Sequence, residues 1–155
     1  MSDVVSIVRL FEGLPHGFDV IRAEAAAEGV RNMTVLATEF GAADDPFRDP
    51  GALFAAFVAG ELAGVGGVTV ETGLNEPAMR MRRLYVRPAL RRGGVARALA
   101  GAMMQQGFQA APLLVLNAAA SAAAPPFWEA MGFERMDWPG VTHALRLQAD
   151  DPSRD

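Results

Sequence analysis

Seven of the chain's 14 basic residues, all of them arginine, fall between positions 80 and 97: Arg80, Arg82, Arg83, Arg87, Arg91, Arg92 and Arg97. No Asp or Glu interrupts that window, so it carries +7 in a chain whose formal net charge is −4. The summed field of such a patch attracts and retains anions. Within it, Arg91-Arg92-Gly93-Gly94-Val95-Ala96-Arg97 reads as a strand-to-helix turn. Glycine there lets backbone approach a ligand closely, and the first N–H groups of a helix have no internal partner. Helix dipole and arginines together suit a diphosphate. An ordinary packing turn would carry the same glycines, so the density of arginines is what favours the anion. Nucleic acid would ask for a broader basic face than this acidic chain offers.

The strand feeding that turn has a fault in its alternation. Met79 and Met81 alternate with Arg80 and Arg82, then the apolar phase jumps to Leu84 and Val86, leaving Arg83 where an inward residue was due. A one-residue slip in a period-two pattern predicts a β-bulge near residues 82–84. A bulge frees backbone N–H and C=O groups to meet a ligand, and Pro88 ends the strand.

The elements that must hold this pair follow from hydrophobic spacing. With 155 residues, 51% apolar and 21% charged, the chain suits one compact domain, 1–148, with 149–155 as a frayed polar tail. Residues 4–10 read as a first strand. Residues 18–40 show helical spacing broken at Gly29, giving two helices, and 41–51 form a loop. Residues 53–59 and 62–70 form a hairpin about Gly60-Glu61. After the bulged strand, 79–87, come a helix over 92–108, a buried strand over 112–116, a helix over 121–131 with Ser121 as N-cap, and strands over 133–136 and 141–147. This is a mixed α/β domain around one sheet.

There is no cysteine, which excludes disulfides, thiolate metal sites and thiol catalysis. The two histidines, His16 and His143, lack ligand spacing, so no metal is expected. No run approaches the ~18 apolar residues of a membrane span, and the N-terminus lacks the pattern of a signal peptide, so a cytoplasmic protein with no membrane partner is expected.

Two familiar phosphate loops fail, since the turn has neither Gly-Lys-Ser/Thr nor Gly-x-Gly-x-x-Gly after a first strand. It resembles instead the coenzyme A signature of the GNAT superfamily of N-acetyltransferases, Q/R-x-x-G-x-G/A, met by Arg91, Gly94 and Ala96. Upstream, Arg83-Leu84-Tyr85-Val86-Arg87-Pro88 resembles that family's bulged strand. Downstream, Phe127-Trp128-Glu129-Ala130-Met131-Gly132-Phe133 resembles its F-Y-E-x-x-G-F helix end. The matches run from residue 79 to 133, and the order of elements agrees over the whole chain.

The resemblance implies a mixed sheet of six to seven strands flanked by about four helices, and acetyl-CoA as co-substrate. It implies that the backbone of Arg92, Gly93, Gly94, Val95, Ala96 and Arg97 meets the pyrophosphate, with Arg91, Arg92 and Arg97 adding charge. Leu84, Tyr85 and Val86 would pair with the pantetheine arm, and Val86 N–H would polarise the thioester carbonyl. Asn117 and Ser121 would face the pantetheine or the thiol, and Trp128 would pack against the coenzyme or in the core. Trp128 also marks a departure, because it stands where the family's usual acid is a tyrosine, and an indole N–H gives up no useful proton. Ser121 or water would then protonate the thiolate, or no dedicated acid is needed. Glu39, Glu71, Glu76 and His143 are candidates to take the amine's proton, with Glu71 and His143 foremost because strand ends can border the cleft.

The resulting expectation is transfer of an acetyl group to a primary amine of a small molecule or peptide by direct attack in a ternary complex, in a chain that related domains suggest could pair as a homodimer. The alternative is a non-catalytic coenzyme A-binding or protein-interaction module on the same fold.

Overall fold

The computed structural model describes residues 4–148, so the expected tail, 149–155, lies outside the described residues. Seven strands form one sheet in the order β1-β2-β3-β4-β5-β7-β6. They are β1 Val5–Leu10, β2 Ala52–Val58, β3 Glu61–Glu71, β4 Ala78–Val86, β5 Leu113–Leu116, β6 Glu134–Trp138 and β7 Val141–Arg146. The helices are α1 Phe18–Ala27, α2 Asn32–Glu39, α3 Val95–Ala110 and α4 Ala124–Ala130, with a 3-10 turn at Pro88–Leu90. This is the mixed α/β architecture with about four helices that the sequence implied.

β2 and β3 are apolar on both faces because helices cover both. Ala52, Phe54 and Ala56 pack with Val95, Leu99 and Met103 of α3 and Trp128 of α4. The alternate residues Leu53 and Ala55 pack with Phe18 and Ile21 of α1 and Met33 and Leu36 of α2. The break between α1 and α2 falls at Gly29, in left-handed conformation. The hairpin turn sits at Ala59-Gly60, one residue earlier than expected. Both residues have positive φ (52° and 81°), as a two-residue turn matched to strand twist requires. No helix among the described residues is long and apolar enough to cross a membrane.

The bulge lies where the alternation slipped. Val65 faces Tyr85 and Gly67 faces Arg82, so Arg83 and Leu84 together oppose Gly66. Arg83 takes φ +59°, which a non-glycine residue seldom adopts. Beyond the bulge the sheet opens. β4 runs parallel to β5 but registers with it only at Met79↔Leu114 and Arg80↔Val115. The later part of β4 therefore has a neighbour on the β3 side alone.

Two helices start later than their spacing suggested. α3 begins at Val95 rather than Arg92, because Arg92 and Gly94 have φ of +71° and +83° and cannot continue a right-handed helix. α4 begins at Ala124 rather than Ser121. A start at Ser121 would place Pro125 and Pro126 where an N–H must bond back, whereas from Ala124 they fall in the first turn. β6 covers 134–138 rather than 133–136.

Candidate active site

The gap between β4 and β5 exposes one edge of β4. Arg87 N–H donates to the Ala63 carbonyl of β3 at 2.9 Å. Since an antiparallel strand turns alternate peptide groups to opposite sides, the N–H and C=O of Val86 point away from β3, into the gap. Two side chains already reach that edge. Arg91 Nε donates to the Val86 carbonyl at 3.1 Å, and Asn32 Nδ2 donates to the Leu84 carbonyl at 3.5 Å. The chain then passes through the 3-10 turn to Gly94, which ends the approach to α3 without any side-chain cap. The N–H groups of the first α3 turn are left for a ligand.

Most of the arginine stripe is neutralised by carboxylates brought from elsewhere. Arg80 is paired with Glu71 at the end of β3 and donates to the Gly140 carbonyl at 3.0 Å. Arg83 forks onto Glu39 of α2 at 2.9 and 3.1 Å. Arg87 meets Glu24 of α1 at 2.6 Å, and Arg91 forks onto Glu28, just past α1, at 2.7 and 2.9 Å. Among the described residues, Arg92 and Arg97 have no ion pair, and both are exposed beside the start of α3. They are the charges left for an anion there. Arg82 also lacks a carboxylate, its Nε donating to the Thr69 hydroxyl at 3.0 Å.

The pairs shift the titrations of their members. Hydrogen bonds from Arg91, then from the Tyr85 hydroxyl, hold the Glu28 carboxyl below its ordinary range. Burial, helped by the Glu28 carboxylate, pushes the Tyr85 phenol up to about 12. Burial alone would raise Glu71, but the Gly73 N–H and the guanidiniums of Arg80 and Arg82 outweigh it and leave the carboxyl lowered.

His143 is 2% exposed and lies opposite Leu116 on the α3–α4 face of the sheet. Its Nδ1 is 2.8 Å from Thr142 Oγ1, and its Nε2 is 2.8 Å from Glu129 Oε2. The Thr142 oxygen accepts the Ala118 N–H at 2.8 Å, so its own proton is available to Nδ1. In the neutral ring Nε2 then carries the hydrogen and donates to Glu129. Glu39, Glu71 and Glu76, the other expected proton acceptors, are all engaged with arginines, Glu76 with Arg146 at 2.6 Å.

Asn117 follows β5 at the mouth of the gap, and its Oδ1 accepts the Ala119 N–H at 2.9 Å, leaving the amide nitrogen exposed. Ser121 is exposed and accepts the Ala124 N–H at 3.2 Å, with its hydroxyl proton uncommitted. Trp128 is 6% exposed, edge-to-face with Phe127 and Phe133 at 5.1 and 5.2 Å, in the core. A shallow depression of about 350 Å³ around His16, Asp19 and Arg22 includes no residue of β4 or α3. Among the described residues, no group of three or more His, Asp or Glu side chains could hold a metal.

Asn32, Glu24 and Glu28 did not stand out in the sequence. Glu24 and Glu28 are four apart, as are Arg83, Arg87 and Arg91. That matched spacing was the available sign.

The model of the acetyltransferase (GNAT) domain family matches residues 21–149. The chain belongs to the GNAT acetyltransferase family, and it is an acetyltransferase of that type. No curated protein sequence matches it significantly. Among solved structures, a protein of Exiguobacterium sp. 255-15 assigned to the acetyltransferases shares 25% identity over 92% of this chain and 93% of its own, with a TM-score of 0.82. A GNAT family acetyltransferase from Elizabethkingia anophelis, with acetyl-CoA bound, shares 14% over 92% and 98%, at 0.62. The NatC complex bound to Gag peptide and CoA shares 16% over 93% and 99%, at 0.68. At such identities the last two speak to fold alone.

Proposed function

We propose that the protein transfers the acetyl group of acetyl-CoA to a primary amine of a small molecule or peptide. The observation that carries this is the unpaired β4 edge running directly into the uncapped start of α3. That edge offers the Val86 N–H, and carbonyls now met by Arg91 and Asn32 side chains, ahead of an anion site. The acetyl-CoA-bound relative of the same fold supports the reading. The pantetheine arm would lie along Leu84, Tyr85 and Val86, and the diphosphate against the N–H groups of Gly93 to Arg97, with the charges of Arg92 and Arg97. Arg91, committed to Glu28, would act there by holding the turn. Asn117 would offer its amide nitrogen to the arm, and Trp128 would support the coenzyme from the core.

In the reaction the amine nitrogen bonds to the acyl carbon, the C–S bond breaks, and the thiolate leaves. Val86 N–H would stabilise the developing oxyanion, and catalysis would come mainly from positioning. The attacking amine must first lose a proton. Glu71, paired to Arg80 on the face opposite α3, would accept that proton through water, whereas His143 is buried on the α3–α4 face with both ring nitrogens bonded and is turned to the other side of the sheet. The free hydroxyl proton of Ser121, or water, would go to the thiolate.

Calorimetry with acetyl-CoA and free-thiol release across an amine panel test this. Binding with amine-dependent thiol release is expected. No binding at millimolar acetyl-CoA refutes it, and binding without turnover assigns a module that only binds.

A further inference from the structure

The acceptor must reach the thioester from the sheet face opposite α3, because α3 covers Met79, Met81 and Val86 on its own side. On the other face, α2 packs against β4, and the β6–β7 turn touches Arg80 through the Gly140 carbonyl. Between these walls the floor is β4 itself, where Arg80 and Arg82 alternate with the buried methionines.

Two polar demands there go unmet. The first is Arg82. It is partly buried, lies between Arg80 and Arg83, and has one hydrogen bond, to the neutral hydroxyl of Thr69. Arg80 and Arg83 each have a carboxylate; Arg82 has none among the described residues. Its terminal nitrogens stay open to solvent, so this partly buried guanidinium, set beside two like charges, is free to take an oxyanion. Burial and those two neighbours also hold its pKa below the ordinary arginine value, ahead of the opposing pull of Glu39 and Glu71. The second demand is Asn32 on α2. Its Nδ2 reaches the Leu84 carbonyl, but its Oδ1 is buried with no hydrogen-bond partner. Leu84 stands two positions beyond Arg82 on the same strand, so the two demands lie along one stretch of β4. One asks for an anion and the other for an N–H donor.

Resting on the acetyl-transfer reading, we infer that the acceptor is a small primary amine that also carries an oxyanion, carboxylate or phosphate. Arg82 binds the oxyanion, which leaves the amine end directed along β4 towards Val86. Arginine's planar fork suits either oxyanion.

Thiol release should be measured with two matched pairs, γ-aminobutyrate against n-butylamine and O-phosphoethanolamine against ethanolamine. Acetyl-CoA binding is followed separately by calorimetry. At least one anionic member should exceed its neutral match in kcat/KM by about tenfold or more, and which one does so tells carboxylate from phosphate. Arg82→Gln should bring that ratio towards one, chiefly through KM, while Arg82→Lys keeps part of it. Ratios near one in the wild type, a ratio unmoved by Arg82→Gln, or no turnover of any of the four with acetyl-CoA bound would each overturn the inference. Loss of acetyl-CoA binding itself would bring down the reading beneath it, which the calorimetry separates. Should Arg82→Gln not fold, the wild-type ratios and the lysine variant still decide.

Discussion

Arg91 and Glu28, 63 residues apart in sequence, form a bidentate ion pair while the Arg91 Nε also holds the carbonyl of Val86. Arg91 heads the signature turn, yet its charge is directed at the helical layer. It braces the C-terminal side of α1 against the open edge of β4 and stacks over the Tyr85 ring, 5.4 Å from the centroid. Glu24 with Arg87 and Glu39 with Arg83 repeat this stitch along the same strand.

Removing the Glu28 charge should strengthen the field at the start of α3. Glu28→Gln is expected to tighten acetyl-CoA binding about two- to fivefold at low salt, with the difference fading towards molar salt as screening shortens. Calorimetric titrations at two ionic strengths check this, and equal affinities at low salt would contradict it.

Gly94 has φ +83°, and a Cβ there would meet nothing within 4 Å. Gly94→Ala should cost about 1–2 kcal/mol of stability through backbone strain alone and keep coenzyme binding. Gly94→Glu, which places a carboxylate where the diphosphate would lie, should stay folded and lose it. Wild-type affinity in folded Gly94→Glu would show that the turn does something else.

Tyr85 is the chain's one tyrosine, so phenolate absorbance reports it alone. Its folded value, about 12, lies above the ordinary 10. The stability it contributes is therefore fully present below pH 10 and is lost as pH rises from 10 towards 12. Alkaline titration of the folded protein should give a midpoint near 12, and Glu28→Gln should move it down, since burial is then the main remaining cause. A wild-type midpoint near 10 would mean that Tyr85 is not held as described.

A Cβ on Gly64 would lie 2.6 Å from the Tyr85 carbonyl, a backbone atom with little room to yield. Gly64→Ala should destabilise by about 1–3 kcal/mol, as overpacking does. It should also weaken coenzyme binding, because β4 would have to shift beside its bulge. A thermal melt and one titration are sufficient, and an unchanged melt refutes the close packing of β3 on β4.

The bulge was legible because a period-two pattern admits no slip without one, and Arg83 stood visibly out of phase. The start of α3 was legible from glycines, although its first residue was not, since a positive φ at Arg92 follows from the tertiary path and not from arginine's own preference. Clustering placed the arginines together but said nothing of which ones retain free charge. That depends on Glu24, Glu28, Glu39 and Glu71, which lie up to 63 residues away and come alongside only when α1, α2 and β3 pack. Asn32 was invisible for a related reason. An asparagine opening a helix is ordinary, and its unsatisfied oxygen becomes meaningful only against Leu84.

β4 and β5 share just two registered pairs before they diverge. In the sheet's own ladder, little more than that seam joins the β1–β4 half to the β5–β7 half. A molecule lying along the β4 edge would act as a tie between two plates. Its arrival should slow amide exchange on both sides of the seam, and its departure as spent thiol should loosen them, so that the domain's stiffness follows its loading through each turnover.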